Sequence, residues 1–430
     1  MSQTDKEDTV PQATRTTAGG RLFRLLIGAL ILVSAAAQFA LVPVMPVYAR
    51  GLGLSGFEQG MVLGATGLAT LVVSVPAGTL ADRFGARRIT LAAGLLMAAA
   101  TAAQALAGDF PALLAARLAF GAGYGMVWTA GLCWLAGAAA GGPNALGGSV
   151  ASAGVGGVAG PAISGALAQS LGLAVPLLVT SAIFAVITAG LALLRVPPGP
   201  AAPYRAHTRG ERPALKHRDF IGAAAAVVTA GLSTGVCALL VPARLHAAGA
   251  SPGQIGLAFA AAGILFAAGS ALTAAAGRRA VNLPVTCAGL LVLVAALALA
   301  VVGTTPLPLV AMLCVTTAAR SVLWTVSYPL AASASARSSA SGGTGTGLGA
   351  SVGLLNVIWA ATAVLGPLGA GVAAGHLGAP AAFGLTDVIC AAALAVTAAL
   401  TWRDRRPAAA PGSSPTPRPG RTRSPSARPS

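Results

Sequence analysis

Two long apolar runs, Met61–Thr79 and Ile89–Gly108, carry no ionisable side chain, yet Asp82, Arg83, Arg87 and Arg88 crowd the short stretch between them. Those charges cannot sit in hydrocarbon at tolerable cost. The pattern therefore demands two membrane helices and a turn in water. The same layout repeats along the chain. Soluble domains carry about a quarter charged residues; here the share is 9%, with 56% hydrophobic residues and a mean hydropathy of +0.80. A spanning helix needs ~20 residues. Between Leu22 and Trp402 there is room for about twelve of them with short loops. The abundant alanine and glycine suit close packing of helix backbones in lipid.

The formal net charge of +17 raises the question of nucleic acid, and the location of the charge answers it. With twelve spans and an inner N-terminus, 23 of the 27 Lys and Arg residues fall on inner loops and tails. Arg50 and Arg244 fall on outer loops, and Arg117 and Arg320 inside spans. This positive-inside bias predicts a multi-pass protein of the plasma (inner) membrane with both termini cytoplasmic. No basic patch is interleaved with exposed aromatics, so nucleic acid is not an expected partner. The five cysteines lie in apolar runs without metal-ligand spacing, which argues against a disulfide framework or a metal site. Arg21, Arg24 and Ser34-Ala-Ala-Ala37 hint at a cleavable signal, but the apolar run continues to Tyr48.

Internal repetition divides the chain. Pro46, Gly53, Ser55 and Gly60 recur 196 residues later as Pro242, Gly249, Ser251 and Gly256. Gly160-Pro161, Gly165 and Leu171-Gly172 recur at an offset of 206 as Gly366-Pro367, Gly371 and Leu377-Gly378. Repeated halves are a common plan for transporters. The expected fold class is an all-α membrane protein, with twelve transmembrane helices in two pseudo-symmetric six-helix bundles. The boundaries are a cytoplasmic tail (1–21), a first bundle (22–195), a Pro- and Arg-rich linker (196–218), a second bundle (219–402) and a disordered tail (403–430).

Three motifs carry a mechanism. The turn Gly78-x-x-x-Asp82-Arg83-x-Gly85-x-Arg87-Arg88 resembles the loop between the second and third helices of the major facilitator superfamily. That resemblance implies a gating loop in which Asp82 pairs with a helix end or an Arg and latches the halves on the inner side. The second half keeps only Gly277-Arg278-Arg279. In the fourth helix, Arg117-x-x-x-Gly121-x-Gly123 resembles the superfamily's fourth-helix signature, with Tyr124 and Trp128 at helical spacing on the same face. An intramembrane Arg is a functional hypothesis by default. The resemblance implies proton or substrate coupling, while snorkelling to the interface is the alternative. In the fifth helix, Gly147, Gly156, Gly160-Pro161 and Gly165 resemble the signature of drug-efflux antiporters, where Pro permits a bend and small residues admit the opposite half.

The tenth helix echoes the fourth with Arg320, Trp324 and Tyr328. Gln38, Asn356 and Asp387 complete the polar candidates for substrate binding or coupling. The aromatic residues serve either packing or ligand contact. Each Arg either balances an anionic substrate or pairs with Asp387, the only acid well inside a span; Glu58 and Asp219 stand at helix ends. No nucleophile with a base, HExxH or Walker loop occurs, so neither an enzyme nor a cofactor is expected. What the resemblance implies is a monomeric secondary transporter working by alternating access. Proton-coupled efflux of a small organic compound is the first expectation, and uptake or exchange of an anionic solute the alternative.

Overall fold

The computed structural model describes residues 18–138, 143–195, 215, 217–302, 305–340 and 348–405. The N-terminal residues 1–17, most of the linker 196–218 and the tail from 406 lie outside the described residues.

Twelve long helices follow in order. The first half holds α1 (Ala18–Ala40), α2 (Gly56–Phe84), α3 (Ala86–Leu106), α4 (Phe110–Gly137), α5 (Pro143–Leu171) and α6 (Ala174–Leu193). The second half holds α7 (Arg218–Ala247), α8 (Pro252–Ala276), α9 (Leu283–Val302), α10 (Pro306–Ala340), α11 (Leu348–Leu377) and α12 (Ala379–Arg405). Among the described residues, 11 helices are long and apolar enough to cross a membrane; α5, 29 residues long, completes the first set of six. A short helix, Met45–Gly51, joins α1 to α2. No strand occurs among the described residues.

The repeated sequence clusters are repeated local structure. Gly53 and Gly249 take φ of +64° and +91°, a conformation glycine adopts without steric cost. Ser55 and Ser251 then cap α2 and α8 in matching capping boxes, with Glu58 and Gln254 returning the bond. Packing follows the same symmetry. In the first half α1 contacts α5 and α6, α3 contacts α4 and α6, and α2 contacts α4. In the second half α7 contacts α11 and α12, α9 contacts α10 and α12, and α8 contacts α10. The two largest pairings between the halves are α2 with α11 and α5 with α8; the short helix Met45–Gly51 and α2 also touch α7.

Those crossings are tight at one end only. Gly56, Gly60, Gly64 and Gly67 of α2 lie against the backbone and small side chains of α11 between Ala360 and Gly371. On the pseudo-symmetric seam, Gly253, Gly256 and Gly263 of α8 lie against α5 between Val158 and Gln169. The two repeats thus meet crosswise, Gly60 on the Pro367 carbonyl and Gly256 on the Pro161 carbonyl. With no water to expel, such seams are held by van der Waals packing, which small residues make possible.

Further along the same faces the halves part. Val75, Gly154, Ala267, Ala271 and Asn356 are exposed, and Gly154 has nothing within 4 Å of where its Cβ would stand. The apolar core divides accordingly. At the closed end one cluster runs through both halves, from Leu41, Met45 and Leu63 to Val236, Leu240 and Phe383. At the splayed end the clusters are separate: Phe23, Ile27, Phe184 and Trp134 in the first half, Phe220, Val227, Leu283 and Leu330 in the second.

Candidate functional site

Each half buries one arginine within its spans. Arg117 on α4 is 1% exposed. Its Nη2 donates to the Gln38 backbone carbonyl on α1 at 2.7 Å, and its Nη1 lies 3.4 Å from Gln104 Oε1 on α3. The guanidinium carbon stands 5.1 Å from the Phe120 ring centre. Arg117 therefore turns into the first half and does not snorkel. Arg320 on α10 is 8% exposed and donates to the hydroxyls of Thr234 on α7 at 2.7 Å and Thr317 at 2.6 Å. The Nε of each arginine is buried without a partner.

Among the described residues neither arginine touches a carboxylate. Asp387 on α12 is half-buried, with Oδ1 buried and unpartnered. The other two acids the sequence singled out are engaged: Glu58 in its capping box, and Asp219 in an ion pair with Arg337 beside Arg218. A buried charge without a counter-charge costs several kcal/mol unless dipoles or water compensate it. Here only amide and hydroxyl dipoles do so, and the interior carries two positive charges.

Aromatic residues extend from both arginines. On α4 the rings of Tyr124 and Trp128 lie 5.9 Å apart, at a π-helical turn Val127–Gly131 that shifts the register of the face. On α10 Trp324 packs against Tyr328 at 5.3 Å and against Trp359 of α11 at 4.6 Å. Tyr328 Oη donates to Asn356 Oδ1 at 2.8 Å, and that pair lies where the splayed halves begin to part. The structure thus groups Arg320, Trp324, Tyr328 and Asn356 in the second half, and Gln38, Arg117, Tyr124 and Trp128 in the first.

The charged turn lies at the splayed end. Gly85 takes φ of +91°, which lets α2 end and α3 begin without a loop. Arg87 donates to the Ala192 carbonyl of α6 at 2.6 Å, Arg83 lies over Phe84, and Asp82 and Arg88 are exposed. Among the described residues Asp82 makes no hydrogen bond or ion pair, and Gly78 faces Thr129 of its own half. The bend motif divides its work. Gly156 and Gly160 admit the backbone of α1 in their own half, at Leu32 and Ala36. Gly165 admits Pro252 of α8, Gly366 admits Leu232 of α7, and Pro367 meets Gly60.

Sequence reasoning did not reach Gln104, Thr234, Thr317 or Trp359. Gln104 was within reach, since a glutamine in a charge-free span is a polar outlier of the same kind as Gln38. The two threonines carry no such signal, because each can satisfy itself on its own helix.

The sequence model of the Major Facilitator Superfamily matches residues 27–350. Over 86 residues, 20% of this chain and 22% of the relative, the sequence is 34% identical to the quinolone resistance protein NorA of Staphylococcus aureus. Over 99 residues, 23% and 21% of the two chains, it is 35% identical to the arabinose-proton symporter of Bacillus subtilis. Each match spans about a fifth of the curated relative. Among solved structures, a bacterial homolog of the human lysosomal transporter Spinster aligns with a TM-score of 0.72 at 17% identity, covering 91% of this chain and 99% of that one. The nucleoside transporter NupG aligns with a TM-score of 0.67 at 14% identity, covering 88% and 99%. At these identities the likeness is one of fold.

Proposed function

Because the chain belongs to the major facilitator superfamily, we propose that it is a secondary active transporter whose halves rock about a central site. We further propose that proton movement drives efflux of a small organic compound. The observation that carries this reading is the divided core: one apolar cluster shared by both halves at the closed end, two separate clusters at the other. Rigid halves hinged in this way suit alternating access around a site near the midplane. Residues 22–195 and 219–402 are the two moving bodies in this reading, joined by the linker 196–218.

The splayed end is taken as cytoplasmic, in the inner membrane, in keeping with the basic residues there. Asp82, Arg83, Arg87 and Arg88 would then latch that end in the opposite state, around the turn glycines Gly78 and Gly85. Arg320, Trp324, Tyr328 and Asn356 are the proposed substrate contacts of the second half, and Gln38, Arg117, Tyr124 and Trp128 those of the first. Asp387, with its unpartnered buried oxygen, is the proposed proton carrier. Efflux is favoured by the Gly156–Gly165 signature and by the stretch shared with NorA. The active unit is taken as a monomer.

A second reading, uptake or exchange of an anionic solute, is favoured by one observation: both buried arginines bond only neutral groups. Proteoliposomes separate the two. A pH gradient is imposed, and cationic, neutral and anionic compounds are tested on the native protein and on Arg320→Ala. Gradient-driven export of cationic or neutral compounds supports the first reading, and its weakening in Arg320→Ala supports that residue as a contact. Movement of anions that is lost in Arg320→Ala supports the second. No gradient-driven flux of any class refutes both.

A further inference from the structure

Arg50 ends the short helix Met45–Gly51, and His246 sits in the last turn of α7. They are 196 residues apart, the same offset that relates Gly53 to Gly249, so each is the other's equivalent in the opposite half. They meet across the closed end, where Arg50 Nη2 bonds His246 Nε2. The other imidazole nitrogen, Nδ1, faces the Ala250 carbonyl at 3.2 Å. A carbonyl oxygen only accepts, so Nδ1 carries the hydrogen. Nε2 is then left with the lone pair that the guanidinium needs. This cross-half bond requires a neutral imidazole.

We propose that His246 is a proton-binding site that controls the closed end. A proton on Nε2 sets an N–H and a positive charge against the Arg50 guanidinium. The bond is lost, like charges face each other across the seam, and the equilibrium moves toward the state in which this end opens. Among the described residues no carboxylate is paired with His246 or Arg50. Arg244, on the same helix, donates to the Ala300 carbonyl. Glu58 of α2 is held by Ser55, Tyr48 is buried in the short helix, and His376 at the end of α11 is exposed. The described residues of α8, α9 and α10 bring no charged side chain to this end, and Asp387 of α12 lies one turn deeper than Phe383. If the closed end faces outward, as the proposed function takes it, the acidic side of the gradient supplies the proton and an antiporter's outer gate opens when it arrives.

The test is a fluorescence-transfer measurement between dyes at Leu171 and Leu377, the exposed, repeat-related ends of α5 and α11. The full chain is held in nanodiscs at one pH throughout, without substrate, from pH 8 to 5, where histidine titrates. One proton bound in the open state and not in the closed one changes their ratio up to tenfold per pH unit. The native protein is expected to shift to the open, low-transfer state on acidification. His246→Gln keeps an acceptor for Arg50 but cannot take the proton, and is expected to stay closed throughout. Arg50→Gln removes the repelled charge and is expected to flatten the response. A native protein insensitive to pH, or a His246→Gln variant that opens as the native one does, would overturn the proposal. The measurement uses neither gradient nor substrate, so its failure is distinct from the failure of gradient-driven flux, which would refute the transport reading alone.

Discussion

Gly60→Ala should push the protein from one conformation toward the other. A Cβ at Gly60 would stand 2.5 Å from the Pro367 carbonyl oxygen, where ordinary contact begins at 3.4 Å. The helices must part by roughly 0.9 Å, and the obstacle is backbone, which no rotamer change removes. Overpacking of this kind costs about 1–3 kcal/mol. The cost falls only on the state in which the closed end is closed. The helix propensity gained on replacing glycine by alanine, about 1 kcal/mol, is common to both states and cancels. The closed-to-open ratio should therefore fall by roughly 5- to 150-fold. Gly154→Ala is the control, because Gly154 has nothing within 4 Å. The assay is pulsed electron resonance between spin labels at Leu171 and Leu377 for the closed end, and at Phe84 and Arg278 for the splayed end. Labels on unnatural amino acids leave the five native cysteines in place. Rocking halves predict a longer distance at the first pair together with a shorter one at the second. Unchanged distances, or lengthening at both ends, would refute the reasoning, since the second outcome means loosened packing rather than rocking.

Other outcomes follow from single contacts. Tyr328→Phe removes the bond to Asn356 and should weaken apparent substrate affinity roughly 2- to 10-fold, about 0.5–1.5 kcal/mol, in transport titrations, with the fold unchanged by circular dichroism. Ser55→Ala takes away one capping box and should cost about 1 kcal/mol, read as a lower apparent Tm in nanodiscs. Arg337→Gln leaves the Asp219 carboxylate, 4% exposed, without its closest counter-charge, whereas Asp219→Asn leaves only the exposed Arg337 unpaired, so Arg337→Gln should lower the apparent Tm more than Asp219→Asn does. Burial, with Arg337 and Arg218 nearby, holds the His217 imidazole below its ordinary 6.5. The folded state thus resists its protonation, so its contribution is full above 6.5 and declines as pH falls through the lowered value. Thermal melts between pH 8 and 5 should show that decline, and His217→Gln should reduce it.

Much of this architecture was legible in the residues. A run such as Ile89–Gly108 has no stable place except a bilayer, and the charges at Asp82–Arg88 mark where the chain must leave it. The repeat was legible as well, because each half needs the same turn glycine, the same serine cap and the same seam glycine. So was the one-face spacing of Arg320, Trp324 and Tyr328, since helical periodicity is a local property. What faces that stripe was not. Whether Arg117 reaches water or Gln104, and whether Arg320 meets Asp387 or two threonines, depends on how neighbouring helices rotate about their axes. Local spacing carries no information on that rotation.

The sequence by itself determined the number of spans, the two-fold repetition and the scarcity of intramembrane acids, because burial in lipid and helix geometry act on each segment independently. The tertiary structure alone decided which repeats meet. It set Gly60 on Pro367 and Gly256 on Pro161, turned Gly156 and Gly160 toward α1 of their own half, and brought Arg50 to His246. The pairings across the seam arise from docking one six-helix body against the other, and those of Gly156 and Gly160 from packing within the first body. Such contacts join residues far apart in the chain, and only the assembled packing chooses among them.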